Sequence, residues 1–194
     1  IIIYPDNPKV GQAADMNLIA TLLAYMETPQ YLRRKLFKLK PELQYAGILP
    51  PLRTPHHPLN RRAKLLKAGE YREGITLSRT KDGTLVDIGV EQPAVILKEQ
   101  LPASKRVTVK IAEIRKQVKV EVAERREIPT YWGYVVTVEK HPFGKLVRNR
   151  DFDLTIATSK YGVPYADVAK EMAEKSKKAN NILVAFGAPT RGLY

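Results

Sequence analysis

Basic side chains alternate with aromatic rings along residues 29–72. This segment contains eleven Lys or Arg residues and two acids, so it carries +9 of the chain's formal net charge of +13. Tyrosine, phenylalanine and histidine rings lie between the cations. Because cations bind phosphates and flat rings stack on unpaired bases, the composition is typical of a surface that binds unpaired RNA. The same pattern fits a solvated basic face equally well, and the rest of the sequence favours RNA.

The overall composition restricts the class of protein. A chain of 194 residues that is 44% hydrophobic and 27% charged can form one large or two small globular domains. The absence of cysteine excludes a disulfide framework, cysteine-ligated zinc and thiol catalysis. A net charge of +13 favours a polyanionic partner. No apolar run approaches the ~20 residues that span a bilayer. We expect an intracellular protein, cytoplasmic or, in a eukaryote, nuclear, that uses neither membrane nor metal.

Two helices are expected to position the basic segment. An apolar strand at residues 1–4 precedes a helix at residues 12–27, in which Met16, Ile19 and Leu23 recur at helical spacing. Thr28 is expected to cap a second helix that begins at Pro29. Residues 45–57 contain three prolines and a glycine and therefore predict a long loop. Long ordered loops in compact domains are often functional.

Short strands fill the middle of the chain. They are rich in β-branched residues and are separated by turn signals such as Lys81-Asp82-Gly83. They predict a five- or six-stranded antiparallel barrel of OB type, which binds single strands on one face. A β module with no binding role is an equal alternative. Trp132 fits either a stacking platform or barrel core. The predicted strands are residues 74–78, 85–91, 94–98, 106–112, 117–123 and 134–139.

A strand–helix–strand pattern follows the barrel, with strands at residues 153–159 and 182–186 and a helix at residues 166–177. Ligands of open parallel sheets bind beyond the carboxyl ends of the strands, where Gly187 and Gly192 would let the backbone approach a ligand. The spacing is not that of a phosphate-binding loop, because Leu193 and Tyr194 stand where Lys and Ser/Thr are required. A plain strand-to-helix turn is the alternative.

The order of these segments predicts one α/β domain interrupted by a β-barrel. Its N-terminal part is residues 1–69, the barrel is residues 70–148, and its C-terminal part is residues 149–194. The sequence contains no Ser-His-Asp signature and no Gly-x-Ser-x-Gly elbow. His56 and His57 are adjacent, so on a regular element they point in different directions and do not form a chelating pair.

Six motifs in order along nearly the whole chain resemble one family. They are PQYLRR-x-LF, LQYAGILPPLRTPHHP, YREG, YWGYVV, DLTIATS and the closing VAFGAPTRGLY. The chain is similar to the RNA methyltransferases of the SPOUT superfamily in archaea and eukaryotes, the branch with a β-barrel inserted in the methyltransferase domain. The resemblance implies a parallel sheet with a deep trefoil knot, S-adenosylmethionine as cofactor, a homodimer, and structured RNA, with ribosomal RNA and base methylation expected, as substrate.

The resemblance also assigns residues. The implied cofactor pocket has Ala188 where the family has Gly or Ser, and Ala tolerates positive φ poorly. Because the family continues beyond both ends of this sequence, the segment alone is expected to be inactive and to bind cofactor weakly. The implied cofactor-binding residues are Thr158, Ser159, Phe186, Gly187, Ala188, Pro189 and Gly192. Residues implied to face RNA or the partner subunit are Arg33, Arg34, Arg53, His56, His57 and Arg72, to which the charge pattern adds Arg61 and Arg62.

Two functions remain as hypotheses, an S-adenosylmethionine-dependent RNA methyltransferase and a non-catalytic RNA-binding or assembly protein on the same fold. A scaffold with no RNA role is a weaker third. Methylation of a base nitrogen such as uridine N3 requires loss of a proton, which Arg33, Arg34 or Arg191 could favour electrostatically. No residue of the sequence stands out as the proton acceptor, so the catalytic residue is left unknown.

Overall fold

The structure is a computed structural model that describes residues 1–5, 10–187 and 192–193. The chain divides into two compact units. The first comprises Ile1 and Asn17–Thr137, and the second comprises Ile2–Met16 and Val138–Tyr194. Within the described residues, no helix combines the length and the apolarity needed to cross a bilayer.

The N-terminal segment forms a short strand and two helices, β1 (Ile2–Ile3), α1 (Ala13–Glu27) and α2 (Gln30–Leu36). The predicted cap of α2 is wrong, since no side chain caps its first turn. The Thr28 hydroxyl instead donates to Ala24 O at 2.9 Å, which extends the hydrogen bonding of α1. Three single-turn helices lie between α2 and the barrel, at Pro41–Leu43, Ala46–Ile48 and Ala63–Leu65. Only the second of them falls within the loop predicted at residues 45–57.

The barrel is confirmed as a closed five-stranded sheet in the order β2-β3-β4-β6-β5, closed by the pairing of β2 with β5. Every pair is antiparallel except β4 with β6. Alternation builds its core, since Val107, Val109 and Ile111 of β5 all face the interior. The strands are β2 (Tyr71–Thr80), β3 (Gly83–Asp87), β4 (Ala94–Leu97), β5 (Arg106–Ile114) and β6 (Val118–Val122).

The strand predicted at residues 134–139 is not part of the barrel. Only β7 (Thr137–Val138) forms there. It pairs with β1, since the amide of Thr137 donates to Ile1 O at 2.9 Å and that of Glu139 to Ile3 O at 2.7 Å.

The strand–helix–strand pattern is confirmed. The sequence did not predict α3 (Phe143–Asn149), which precedes it. After α3 come β8 (Leu154–Ala157), α4 (Tyr165–Lys178) and β9 (Ile182–Ala185). Strands β8 and β9 are parallel and in register from Leu154 opposite Ile182 to Ala157 opposite Ala185. Their carboxyl ends therefore lie side by side.

Candidate functional site

Three residues of the basic segment bind the main chain at the carboxyl end of α1. Carbonyls there have no partner inside the helix. Glu27 O accepts hydrogen bonds from the Nε2 atoms of His56, at 3.0 Å, and His57, at 2.8 Å. Arg33 donates to Thr28 O at 2.9 Å and to Met26 O at 3.2 Å. Such donors also complement the negative end of the helix dipole. These side chains thus fix the end of α1.

Burial favours the neutral form of both histidines. The Nε2 atom of His56 must carry the proton because it faces a carbonyl, so Nδ1 accepts from the Thr54 hydroxyl at 3.1 Å. Burial lowers the pKa of His56 and of His57 below the usual 6.5, although the hydrogen bonds to Glu27 O oppose the shift. His56, hydrogen-bonded to Thr54 and to Glu27 O, therefore holds the loop against the end of α1.

Beside this helix end lies a buried ionic network. The guanidinium of Arg106 donates to both carboxylate oxygens of Glu27, at 2.7 and 3.1 Å, and its Nε donates to Glu73 at 2.6 Å. Glu27 and Glu73 are only 4% and 1% exposed. The second oxygen of Glu73 accepts from Thr108 at 2.6 Å and from Trp132 Nε1 at 2.7 Å. Arg106 therefore links α1 to the barrel strand β2 through two buried carboxylates.

Charge pairing decides the pKa values in this network. Burial alone would raise the pKa of Glu73, but Arg106 and the hydrogen bonds from Thr108 and Trp132 outweigh it and lower the pKa. Burial alone would lower the pKa of Arg106, and the carboxylates of Glu27 and Glu73 reverse that shift. Both shifts favour the charged forms of Glu73 and Arg106 at neutral pH. We call Glu27, His56, Glu73, Arg106 and Trp132 the Glu27 cluster.

Gly133 lets the chain pass close to the Glu27 cluster. Its φ is +81°, and an added Cβ would collide with Glu27 Oε1 and lie 3.0 Å from His56 Nε2. Trp132 itself is buried, with its ring 5.9 Å from that of His56. Of the two roles considered for Trp132, the structure favours a packed position, and its N–H is satisfied by Glu73.

The eight residues predicted to face RNA divide by exposure. His56 and Arg72 are fully buried, which corrects the expectation for these two side chains. Arg72 donates to Glu70 and to Asn60 O, each at 2.9 Å, and so ties the loop to β2. Arg33 and His57, which are hydrogen-bonded to main-chain carbonyls at the end of α1, are half-buried. Four residues are exposed and keep the predicted role open, namely Arg34, Arg53, Arg61 and Arg62.

The sequence analysis missed Glu27, Glu73 and Arg106. A signal for two of them exists in the strand pattern. Arg106 and Thr108 alternate with core valines of β5, and Glu73 lies directly opposite Thr108 in the β2–β5 ladder. A carboxylate beside an arginine and a threonine on one sheet face predicts a cross-strand polar pairing.

The predicted cofactor residues that the structure describes meet at the carboxyl ends of β8 and β9. Thr158 donates through its amide and its hydroxyl to Ala185 O, each at 3.0 Å. Ser159 and Phe186 follow the two strands and are exposed, Phe186 by 72%. Gly187 packs against the chain at Gly192 and Leu193, where an added Cβ would collide with the backbone. The remaining predicted positions, Ala188 and Pro189, lie outside the described residues, as does Arg191.

Among the residues that the structure describes, no group of three or more His, Cys, Asp or Glu residues is placed to hold a metal ion. The two arrangements found are thus an exposed edge at the ends of parallel strands and a buried polar cluster beside a basic surface.

A family profile described as "Putative RNA methyltransferase" matches residues 2–194. The chain belongs to this RNA methyltransferase family. The family match covers both the edge at β8 and β9 and the segments that build the Glu27 cluster.

Curated relatives agree with the family. A Drosophila melanogaster protein named 28S rRNA (uridine-N(3))-methyltransferase is 34% identical over 181 residues, which cover 87% of this chain and 35% of that protein. The Mus musculus protein of the same name is 35% identical over 92% of this chain and 46% of its own length. An uncharacterised Haloarcula marismortui protein is 31% identical over 100% of this chain and 66% of its own. The chain thus spans between about a third and two thirds of the length of these relatives.

Proposed function

We propose that the protein containing this chain is an S-adenosylmethionine-dependent methyltransferase that modifies a uridine base of structured ribosomal RNA. The observation that carries the proposal is the meeting of Thr158, Ser159, Phe186 and Gly187 at the carboxyl ends of β8 and β9, in a chain of an RNA methyltransferase family. Ligands of parallel sheets bind at such edges. The names of the fly and mouse relatives support ribosomal RNA and uridine N3 as the target.

The residues at this edge fit the proposed cofactor. The exposed ring of Phe186 offers a flat apolar face for the adenine, and the exposed Ser159 offers a hydroxyl for a polar group. At Gly187 the chain folds closely onto Gly192, and neither residue has a side chain that would cover its own backbone groups. When bound, S-adenosylmethionine would supply an activated methyl group on a sulfonium.

The chain's own contribution is to position the RNA and to favour loss of a proton. In-line transfer needs a fixed approach of the base nitrogen, and positioning supplies much of the rate gain. The exposed Arg34, Arg53, Arg61 and Arg62 would hold phosphates, and a nearby guanidinium would stabilise the uridine anion.

We extend the proposal to architecture. The strand order of the barrel, with its third and fifth strands parallel, supports an OB-like barrel within residues 70–148. We propose that this segment is inserted between the two parts of a SPOUT-type domain at residues 1–69 and 149–194. The parallel pair β8–β9 supports membership of a larger knotted sheet. A homodimer and an intracellular location, nuclear in a eukaryote, complete the proposal.

The test is methyl transfer by the full-length protein. Isotope-labelled S-adenosylmethionine and ribosomal RNA are expected to yield 3-methyluridine, and calorimetry is expected to show one saturable cofactor site. Gly187→Ala is expected to abolish both, because the added Cβ collides with the backbone of Gly192. Gly11→Ala is the matched control, since nothing lies within 4 Å of its added Cβ. Absence of cofactor binding by the full-length protein would contradict the proposal and favour a non-catalytic RNA-binding protein.

A further inference from the structure

A cavity of about 910 Å³ lies in the first unit, between α2 and the loop that follows it. Its aromatic wall is the pair Tyr25 and Phe37, whose rings meet edge to face at 5.3 Å and 75°. Arg33, Arg34 and Lys38 add positive charge, and the lining contains no Asp or Glu. The rest of the wall is mainly leucine, proline and small residues of the loop. The cavity is thus apolar and aromatic inside, with charge of a single sign.

We propose that this cavity binds one unpaired nucleotide of single-stranded RNA. The proposal deepens the proposed function and rests on it. The base lies against Tyr25 and Phe37, because rings of every base stack on aromatic side chains. The neighbouring phosphates lie at Arg34 and Lys38, because these are exposed cations at the cavity wall. Pockets of about 300–1,000 Å³ are of the size that holds small ligands, and a nucleotide is one.

Pre-organisation supports a nucleotide as the occupant. The Arg33 guanidinium lies 4.5 Å from the centre of the Tyr25 ring and is bonded to Thr28 O and Met26 O, so the wall that it forms is fixed before a ligand arrives. Arg34 and Lys38, by contrast, make no ion pair with another described residue. Two uncommitted cations without a neighbouring carboxylate favour an anionic ligand over an apolar peptide.

The experiment measures binding of a fluorescent single-stranded oligouridylate of about eight nucleotides to the full-length protein. The double variant Arg34→Gln/Lys38→Gln is compared with Lys81→Gln/Lys116→Gln, which removes the same charge from exposed positions of barrel turns. The cavity variant is expected to weaken binding about tenfold or more and to reduce the salt slope by about 1.4, the value for two lost phosphate contacts to a single strand. The control is expected to keep the wild-type slope.

A second readout locates the base. With 4-thiouridine in the oligonucleotide, photo-crosslinks are expected on Tyr25 or Phe37, and a duplex of the same length is expected to compete poorly because its bases are paired. Equal losses in the two double variants, or crosslinks confined to other residues, would overturn the proposal. Loss of self-association in the cavity variant with unchanged oligouridylate affinity would assign the cavity to a second copy of the chain and overturn it too.

The outcome is separable from that of the proposed function. Methyl transfer to ribosomal RNA by Arg34→Gln/Lys38→Gln with an unchanged KM would refute the cavity while the methyltransferase stands. Oligouridylate binding through the cavity without any methyl transfer would refute the enzyme while the nucleotide site stands.

Discussion

Replacing Arg106 by methionine tests whether the Glu27 cluster holds the barrel to the helices. The guanidinium is within 2.6 to 3.1 Å of oxygens of Glu27 and Glu73, both almost fully buried. Methionine keeps much of the apolar stem but leaves the buried Glu73 without its cation and Glu27 with only the longer contact to Arg125, at 3.4 Å. Breaking a buried pair by removing one partner costs about 3–5 kcal/mol of unfolding free energy. We expect Arg106→Met to fall in that range.

The assay is urea unfolding followed by the fluorescence of Trp132, the only tryptophan of the chain. Its Nε1 donates to Glu73, so its emission reports on the cluster itself. With a slope of about 2 kcal/mol/M, the expected loss lowers the urea midpoint by about 1.5–2.5 M. The control is Arg126→Met, which breaks an ion pair of 2.6 Å between side chains that are 80% and 61% exposed. Exposed pairs contribute little, so the control midpoint should stay near the wild type.

The pH dependence supplies the refuting result. In the wild type Arg106 helps to hold the folded-state pKa of Glu73 below its usual 4.5. Without Arg106, only the hydrogen bonds from Thr108 and Trp132 oppose the effect of burial, so this pKa rises from its wild-type value. Acidification then protonates the unpaired carboxylate in the variant, which reduces the cost of its burial, and in the wild type it reduces the stability that the ion pair contributes. The difference in unfolding free energy between wild type and variant therefore narrows as the pH falls. A variant midpoint equal to that of the control, or a difference that widens on acidification, refutes the role of Arg106.

Two further perturbations test neighbouring features. Burial lowers the folded-state pKa of His56 and His57, so the stability that they contribute is complete above pH 6.5. It is lost as the pH falls towards their folded-state pKa values, by at most about 1.4 kcal/mol per pH unit for each histidine. Urea midpoints measured between pH 8 and 5 test this loss, and a midpoint that does not change with pH contradicts it. Gly133→Ala should destabilise more than Gly69→Ala in thermal unfolding, since both glycines have positive φ, +81° and +84°, but only the first Cβ meets neighbouring atoms; equal melting temperatures would argue against close packing there.

The regular elements could be predicted because each has a local signal. Alternation of core and surface residues marks β5, and the strand–helix–strand spacing marks β8, α4 and β9, whose parallel register places Thr158 beside Ala185. These patterns depend only on residues within one segment and its immediate partner. The prediction of a barrel strand at residues 134–139 was wrong because it needed more than local information. Whether a short apolar run joins a barrel depends on the geometry of the closed sheet.

Beyond the pairing of Glu73 with Arg106 and Thr108 across two strands, the Glu27 cluster could not be predicted, because its other members are distant in the sequence and chemically ambiguous. In the sequence, a histidine, an arginine or a tryptophan that contacts a base cannot be distinguished from one that is buried between packed elements. Burial alone distinguishes the two roles, and burial is a property of the folded chain. Arg72 in YREG and His56 in the PHHP motif both have no exposed surface. These two residues therefore stabilise the fold beneath the basic surface, and the exposed cations between them form that surface.

Arg53 and His56 allow this division to be tested inside one motif. His56 is buried with bonds to Glu27 O and Thr54, so His56→Gln should lower the unfolding free energy by about 1–3 kcal/mol, the cost of disturbing buried hydrogen bonds. Below its unfolding temperature, its affinity for oligouridylate should be unchanged. Arg53 is exposed, so Arg53→Gln should leave the urea midpoint unchanged and weaken binding severalfold with a smaller salt slope. If folded His56→Gln loses RNA affinity, or Arg53→Gln loses stability instead of affinity, burial does not distinguish residues that stabilise the fold from residues that contact RNA in this family.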